Sequence, residues 1–211
     1  MKGPSSPIQE IPFEIVVCEP YRSGAVKRTE FPGFREDYLV VHSLIRKYQP
    51  RRFLEIGTSV GYGTNVICKA MGFKAGPLRY FAKQDGQVLS IDVPPGTDPK
   101  KIYPDENPED GHPARAGARC RYSYLQLFGD STVFDYSSYY PIDGWFIDGK
   151  HNYEYASKDT LQALKSDPRL IIWHDMQIDG VSEAVADVMS GTPYEVFRVT
   201  GTRVGYAIRN E

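Results

Sequence analysis

The stretch FLEIGTSVGYGT, residues 53–64, decides the fold prediction. It begins in a short apolar run, 52–56, that is typical of a buried strand, and a helix-compatible run follows at 64–71. Between the two, Gly57, Gly61 and Gly63 permit the sharp backbone turn that joins a strand to a helix. A strand, a glycine turn and a helix make up the repeating unit of a parallel sheet.

The same pattern recurs along the rest of the chain. Apolar runs that end at polar or glycine residues predict further strands, and helix-like spacing of apolar residues predicts helices between them. The last two runs are extended and joined by a tight turn, which predicts a C-terminal hairpin and therefore an antiparallel edge on a mostly parallel sheet. The predicted strands are 87–93, 123–128, 144–148, 170–174, 194–200 and 203–208, and the predicted helices are 36–47, 153–165 and 181–189.

Length and charge limit the class of protein. With 211 residues, the chain is long enough for one well-buried α/β domain, which we place at 34–211 behind an N-terminal arm, 1–33. The arm contains one strand-like run, 13–18, and a polar insertion rich in Pro and Gly covers about 94–121, either as a lid or as a disordered segment. A net charge of -2 gives no support for a nucleic-acid partner, and no apolar run suggests a membrane span. Three widely spaced cysteines suit a reducing cytoplasm.

Polar residues follow the predicted strands at the points where the strands end. In an open parallel sheet, ligands bind beyond the carboxyl ends of the strands, near the point where the strand order reverses. Asp92 ends the second predicted strand, where an acid can accept hydrogen bonds from ribose hydroxyls. The third strand is followed by Gly-Asp-Ser at 129–131, the fourth by Asp148-Gly-Lys-His151, and the fifth ends in His174-Asp175. We therefore expect five strand ends to bring polar groups to one rim.

These motifs resemble those of the class I S-adenosylmethionine-dependent methyltransferases, and within them the small O-methyltransferases related to catechol and macrolide-sugar methyltransferases. The resemblance covers roughly residue 34 to the C-terminus and depends on FLEIGTSVGYGT, VLSIDV, FGDS and DGWFIDGKHNYEYASKDTLQALK followed by LIIWHDM. The last pairing is the most specific. The resemblance implies a Rossmann-like, doubly wound α/β fold with helices on both faces of a seven-stranded, mostly parallel sheet whose C-terminal strand is antiparallel.

The resemblance also implies roles for the rim residues. Glu55 and Gly57 would contact the methionine end of S-adenosylmethionine, Asp92 its ribose, and Asp130 with Ser131 its adenine region. The glycines could instead serve the turn alone, and Asp130 or Ser131 could cap a helix. The complete predicted cofactor set is Glu55, Gly57, Thr58, Ser59, Gly61, Gly63, Asp92, Asp130, Ser131 and Asp148.

A divalent cation is implied by the same resemblance, at Asp148, His174 and Asp175. The catechol-like enzymes hold such a cation between an acid after the fourth strand and two polar residues after the fifth. An imidazole departs from an oxygen-only magnesium site and makes manganese, iron or zinc an alternative. Without a metal, His174 would hydrogen-bond the neighbouring turn and Asp175 would cap the next helix.

His151 is the candidate general base, because the family places a basic residue three positions after the acid that Asp148 matches, and an imidazole titrates near neutral pH. Lys150 is the alternative base, and His151 could instead cap the following helix. The predicted function is O-methylation of a small-molecule hydroxyl. The alternatives are an antibiotic-pathway hydroxylase-type protein of the same fold and a non-catalytic protein that binds an adenosyl ligand. Tyr136, Tyr139 and Tyr140 could serve the core, a substrate pocket or an interface between copies in a homo-oligomer.

Overall fold

A single eight-stranded sheet organises the chain. The computed structural model describes residues 8–17, 35–73, 87–98, 117 and 119–209. Most of the predicted insertion and most of the N-terminal arm lie outside these ranges. The strands are β1 (Gln9–Ile11), β2 (Arg52–Ile56), β3 (Gln87–Asp92), β4 (Leu125–Phe128), β5 (Gly144–Ile147), β6 (Leu170–Trp173), β7 (Tyr194–Val199) and β8 (Gly205–Arg209).

Helices connect most of the parallel strands. The helices are α1 (Phe13–Val16), α2 (Arg35–Tyr48), α3 (Tyr62–Ala70), α4 (Tyr153–Leu164) and α5 (Asp179–Met189), with a short 3₁₀ helix at Ser137–Tyr139. The helix α2 precedes β2, α3 follows the glycine turn, α4 joins β5 to β6, and α5 joins β6 to β7. No helix in these described ranges has the length and apolar character that a membrane crossing requires.

The strand order confirms the predicted fold class and corrects its edge. The order is β1-β7-β8-β6-β5-β2-β3-β4, and only the pairs that involve β8 are antiparallel. The sheet has eight strands rather than seven, because β1 pairs with β7, with Gln9 opposite Phe197. The hairpin pattern predicted an antiparallel strand at the edge of the sheet, but the antiparallel strand β8 lies between β6 and β7. The predicted run 13–18 is also wrong as a strand, since Phe13–Val16 forms a helical turn and the strand precedes it.

Alternating side chains along the strands build two cores. On one face, Phe53 of β2 and Phe146 of β5 pack against α2 and α3. On the other face, Leu54 and Trp145 pack against α4 and α5. Neighbouring residues of a strand point to opposite faces, so strands covered by helices on both sides read as continuous apolar runs. The helices therefore cover both faces, as predicted.

The sheet order places the rim where ligands bind. From β2 the chain proceeds through β3 to β4 on one side, whereas β5 and β6 lie on the other side. The strand order thus reverses between β2 and β5, and this switch point is the usual location of a ligand crevice in an open α/β sheet. The backbone joins the strand ends directly there, because Gly57 N donates to Ile91 O at 2.9 Å and Asp148 N donates to Ile56 O at 2.9 Å.

Candidate functional site

The glycine turn after β2 requires its glycines for close backbone approach. Gly57 has a φ of 94°, and a side-chain carbon there would overlap the carbonyl oxygen of Asp148. Gly61 has a φ of 88° and lies against the backbone of Cys120. Gly63 leaves room for the carboxylate of Glu55. The turn consequently holds the ends of β2 and β5 together, so the structural explanation for these glycines applies whether or not they also contact a cofactor.

Glu55 lies beneath the turn rather than on its surface. Its side chain is buried, and its Oε2 accepts hydrogen bonds from Thr64 Oγ1 at 2.5 Å and from Ser90 Oγ at 2.6 Å. Burial raises the pKa of Glu55 to about 8, although the two hydroxyl donors oppose that rise. Thr58 belongs to the same buried network, with its Oγ1 2.5 Å from Ser90 Oγ. These contacts assign Glu55 and Thr58 a role in shaping the turn, and a direct contact of either with a cofactor stays a prediction.

Asp92 ends β3 beside the glycine turn. Its Oδ2 accepts a hydrogen bond from Ser59 N at 2.6 Å, and its Oδ1 accepts one from Val93 N at 2.7 Å. Ser59 has a φ of 46°, a left-handed conformation that is uncommon for a residue with a side chain and that often occurs at functional sites. Each carboxylate oxygen retains acceptor capacity, and Asp92 is only partly buried, so ribose hydroxyls could donate to it.

The residues after β4 form a hydrogen-bonded turn, and no helix begins at Asp130 or Ser131, so the alternative that they cap a helix is wrong. Asp130 is exposed, and its Oδ1 accepts hydrogen bonds from Thr132 N at 2.9 Å and Thr132 Oγ1 at 2.7 Å. Val133 N and Phe134 N both donate to Asp130 O, which closes one helical turn. The carbonyl of Ser131 accepts from Tyr136 OH at 3.3 Å. Adenine binding by Asp130 and Ser131 stays a prediction.

The described end of the insertion returns to the glycine turn. Gly117 N donates to Ser59 O and Arg119 N donates to Val60 O, both at 2.9 Å. On α3, Asn65 donates from Nδ2 to Arg119 O at 2.9 Å. The insertion therefore ends directly against the segment that is predicted to hold the cofactor.

A cluster of acids and imidazoles lies on the other side of the switch point. One ligand atom each from Asp148, His174 and Asp175 lie within 4.8 Å of one another. His174 Nδ1 is 3.2 Å from Asp148 Oδ1 and 3.0 Å from Asp175 Oδ2. Asp175 has a φ of 53°, so this cluster, like the glycine turn with Ser59, contains a residue in the left-handed region. One imidazole nitrogen and two carboxylates are donors that fit manganese, iron or zinc better than an oxygen-only magnesium site.

Asp37, on α2, completes this cluster and was missed by the sequence analysis. Its Oδ2 lies 3.2 Å from His174 Nε2, and its Oδ1 accepts a hydrogen bond from Arg203 N at 3.0 Å. A carboxylate at Nε2 holds that nitrogen as a donor and leaves Nδ1 facing the other two acids, which is the usual support for a histidine that binds a metal. An acid in the first turn of a helix ordinarily complements the helix dipole, so its position in the sequence gave no signal.

Electrostatics favour the charged forms of His174, Asp148 and Asp175. Burial alone would lower the pKa of His174, but the three surrounding carboxylates raise it to about 12. Burial would raise the pKa of Asp148 and of Asp175, yet the neighbouring imidazoles hold both below the ordinary range. Protonated His174 is thus a counter-ion of these acids, together with Arg203, whose Nη1 lies 3.7 Å from Asp175 Oδ1, and a divalent cation could balance the same charges.

His151 projects into the same cluster from the loop after β5. Its Nε2 is 3.1 Å from Asp175 Oδ2 and 3.6 Å from Asp148 Oδ1, and its side chain is 41% exposed. The neighbouring carboxylate of Asp148 raises the pKa of His151. The cap of α4 is Asn152, whose side chain accepts from Tyr155 N at 3.0 Å, so His151 is not the cap. Lys150 Nζ lies over the Tyr155 ring, 4.9 Å from its centroid.

His174 and Asp175, which follow β6, do not make the contacts expected if they served only the local structure. Asp175 does not cap α5, whose N-cap is Ile178 without a side-chain bond; its Oδ1 instead accepts from Gln177 Nε2 at 2.8 Å. His174 contacts carboxylates rather than the neighbouring turn alone. Of the three clustered tyrosines, Tyr136 is buried in the core and meets Trp145 edge-on, at 5.2 Å between ring centroids.

Neither a protein-family model nor a curated protein sequence matches the chain. Among solved structures, it is similar to CalS11, a TDP-rhamnose 3'-O-methyltransferase of calicheamicin biosynthesis, with a TM-score of 0.54 and 16% identity over 82% of this chain and 78% of that one.

Two ligand-bound structures are also similar. The O-methyltransferase from Bacillus cereus in complex with SAH has a TM-score of 0.52 and 16% identity, over 90% of this chain and 84% of that one. TomG from Streptomyces achromogenes, an O-methyltransferase of tomaymycin synthesis in complex with SAM, has a TM-score of 0.52 and 17% identity, over 87% and 85% of the two chains. These similarities show that the chain has the fold of the class I O-methyltransferases.

Proposed function

We propose that the protein is an S-adenosylmethionine-dependent methyltransferase that acts on the hydroxyl group of a small molecule and uses a divalent cation. One observation carries the proposal: the glycine turn with Asp92 and the cluster of Asp148, His174 and Asp175 lie on opposite sides of one switch point. The contact of Gly57 with the Asp148 carbonyl joins the two halves directly. A cofactor at the turn and an acceptor at the cluster would therefore be neighbours.

The cofactor half fits an adenosyl ligand in its chemistry. The cofactor supplies an electrophilic methyl group on a sulfonium sulfur, and methyl transfer forms a C–O bond to the substrate while the C–S bond breaks. Asp92 offers carboxylate oxygens to ribose hydroxyls, and the glycines bring the backbone close to whatever occupies the turn. The remaining task of the chain is to orient the acceptor hydroxyl and to take its proton.

The cluster fits the acceptor half. A divalent cation supplies Lewis acidity, which lowers the pKa of a substrate hydroxyl. Asp148, His174 Nδ1 and Asp175 would hold the cation, with Asp37 orienting the imidazole from behind. His151 lies beside the same carboxylates and is partly exposed, so its imidazole, in the neutral form, can take the hydroxyl proton of a substrate bound there. Lys150, directed over Tyr155, is the less suitable base.

Calorimetry with S-adenosylmethionine tests the proposal, with manganese, with magnesium and with EDTA. We expect saturable cofactor binding in all three conditions, and transfer of a labelled methyl group to catechol-type or sugar hydroxyl acceptors only when a metal is present. Asp175→Asn should abolish the metal dependence and leave cofactor binding intact, whereas Glu154→Gln, an exposed change on α4, should alter neither. If no adenosyl ligand binds, the proposal is wrong; if the cofactor binds and no acceptor is methylated, a non-catalytic binding protein or the hydroxylase-type alternative replaces it.

A further inference from the structure

A second candidate site lies at the opposite end of the strands from the proposed methyltransferase site. An open cavity of about 810 Å³ is formed by residues that precede β2, β5 and β6, by the first residue of β3 and by the C-terminal end of α2. Its volume lies within the usual range for small-molecule sites. Its main polar and aromatic lining residues are Lys47, Tyr48, Arg51, Arg52, Asp143 and Arg169.

The cavity is strongly basic although the whole chain is slightly acidic. Four lining cations face one carboxylate, which gives a local formal charge of +3, against -2 for the chain. The carboxylate is already occupied: Asp143 accepts hydrogen bonds from Arg51 N at 2.9 Å and from Arg52 N at 2.7 Å. Asp143 therefore holds the backbone of two arginines in place, and in the described chain it forms no ion pair with either guanidinium group.

Part of the basic lining is held in position by uncharged groups. The guanidinium group of Arg52 donates to the carbonyls of Tyr139 and Tyr140, and that of Arg169 donates to the carbonyl of Tyr48 at 3.4 Å. Within the described residues, none of the four cations forms an ion pair with a carboxylate. Three of the four are arginines, whose planar forks bind the paired oxygens of phosphate groups in two-point contacts.

We propose that this cavity binds a small molecule that carries two or more linked phosphate groups. One phosphate group carries a charge of about -2 near neutral pH, so a diphosphate matches the surplus charge of the cavity better than a single carboxylate does. A concave shape lined by four cations suits a small ligand.

The site is separate from the proposed methyltransferase site. The strand β2 begins at the cavity with Arg52, and the glycine turn begins five positions later at Gly57, which is a span of roughly 17 Å. Likewise, α2 carries Asp37 near one end and Lys47 near the other, about 15 Å apart. A ligand in the cavity should thus leave the cofactor turn free, and the proposal does not depend on the methyltransferase assignment.

Calorimetry with inorganic pyrophosphate tests the proposal on the full chain, at constant ionic strength and after dialysis against EDTA, so that no cation bridges the ligand to the acidic cluster. We expect one saturable site per chain. The double variant Arg51→Ala/Arg169→Ala removes two exposed cations and should weaken binding at least about tenfold. Lys158→Ala removes one exposed cation from α4 and should change the Kd by less than about twofold.

Three results would overturn the proposal: no saturable binding of pyrophosphate, equal weakening by Lys158→Ala, or sulfate binding as tightly as pyrophosphate. Circular dichroism checks that the double variant is folded. If the double variant is not folded, the single variant Lys47→Gln takes its place, because the Lys47 side chain is exposed and forms no ion pair in the described chain. An unchanged pyrophosphate Kd in that folded variant also overturns the proposal. S-adenosylmethionine affinity, measured on the same variants, should be unchanged.

Discussion

The buried glutamate under the glycine turn should make the stability of the protein fall as the pH rises. The pKa of Glu55 is raised from its ordinary value of 4.5 to about 8 because burial disfavours the ionised form. A carboxyl whose pKa is higher in the folded state binds its proton more tightly there than in the unfolded chain. Its contribution to stability is fully present below pH 4.5, decreases between pH 4.5 and about 8, and is lost above that range.

The magnitude follows from the two pKa values. At about 1.4 kcal/mol for each tenfold change in proton affinity, the interval from 4.5 to about 8 corresponds to about 5 kcal/mol as an upper limit. Glu55→Gln replaces the group with an amide that resembles the protonated acid, and its oxygen can still accept from Thr64 and Ser90. The variant should therefore have similar stability to the parent at pH 5 and be more stable than it at pH 9, by about 3 to 5 kcal/mol.

Urea unfolding of both proteins at pH 5, 6, 7, 8 and 9 measures this difference. Other titrating groups contribute equally to the two proteins, so they cancel when the free energies of unfolding are subtracted. Glu154→Gln serves as the matched control, because Glu154 is exposed on α4, and its difference from the parent should hardly depend on pH over this range. A Glu55→Gln difference that stays constant between pH 5 and pH 9 would refute the reasoning.

Three further variants test the rim. Gly57→Ala forces a side-chain carbon against the Asp148 carbonyl at a φ of 94°. The variant should lower the free energy of unfolding by about 1 to 3 kcal/mol and should bind manganese more weakly in calorimetry. A free energy of unfolding and a manganese affinity equal to those of the parent would contradict the described turn. Asp92→Ala should weaken S-adenosylmethionine binding by about 1.5 to 3 kcal/mol, and an unchanged Kd in the folded variant would reject ribose binding. His151→Ala should reduce turnover by a factor of roughly 100 to 10,000 at neutral pH, with partial recovery at higher pH and an almost unchanged cofactor Kd. Wild-type turnover in that variant at every pH would leave Lys150 as the candidate base.

The central parallel strands β2, β3, β5 and β6 were predictable because both of their faces are buried. Apolar runs at β2, β3, β5 and β6 stand out from their polar flanks, and the predicted ends differ from the structure by no more than one residue. The strand β1 was not predictable in this way. It has three residues, none of them fully buried, and its partner is β7, almost two hundred positions away in the chain. The place of β8 inside the sheet is likewise a matter of pairing partners, which a local pattern does not contain.

The candidate site was predictable where its residues end strands. Asp92, Asp148 and Asp175 follow apolar runs, so the sheet geometry alone predicts that they share a rim. Asp37 could not be found by that reasoning, since its position is set by how α2 packs across the sheet. Ser90 was missed for a related reason: it lies inside a strand, and an isolated hydroxyl in an apolar run gives no sign that it bonds a buried acid.

The topology also places acidic and basic residues that are interspersed in the sequence at opposite ends of the sheet. The acids at the candidate site and the cations of the basic cavity alternate along the chain, so composition shows only a small net charge. In a parallel sheet, residues that follow strands collect at one end and residues that precede strands collect at the other, and this separates the two sets. A helix that packs along the sheet contributes to both ends, as α2 does with Asp37 and Lys47. Charge at each end of such a sheet is therefore more informative about ligands than the charge of the chain, because each end is a separate surface with its own field.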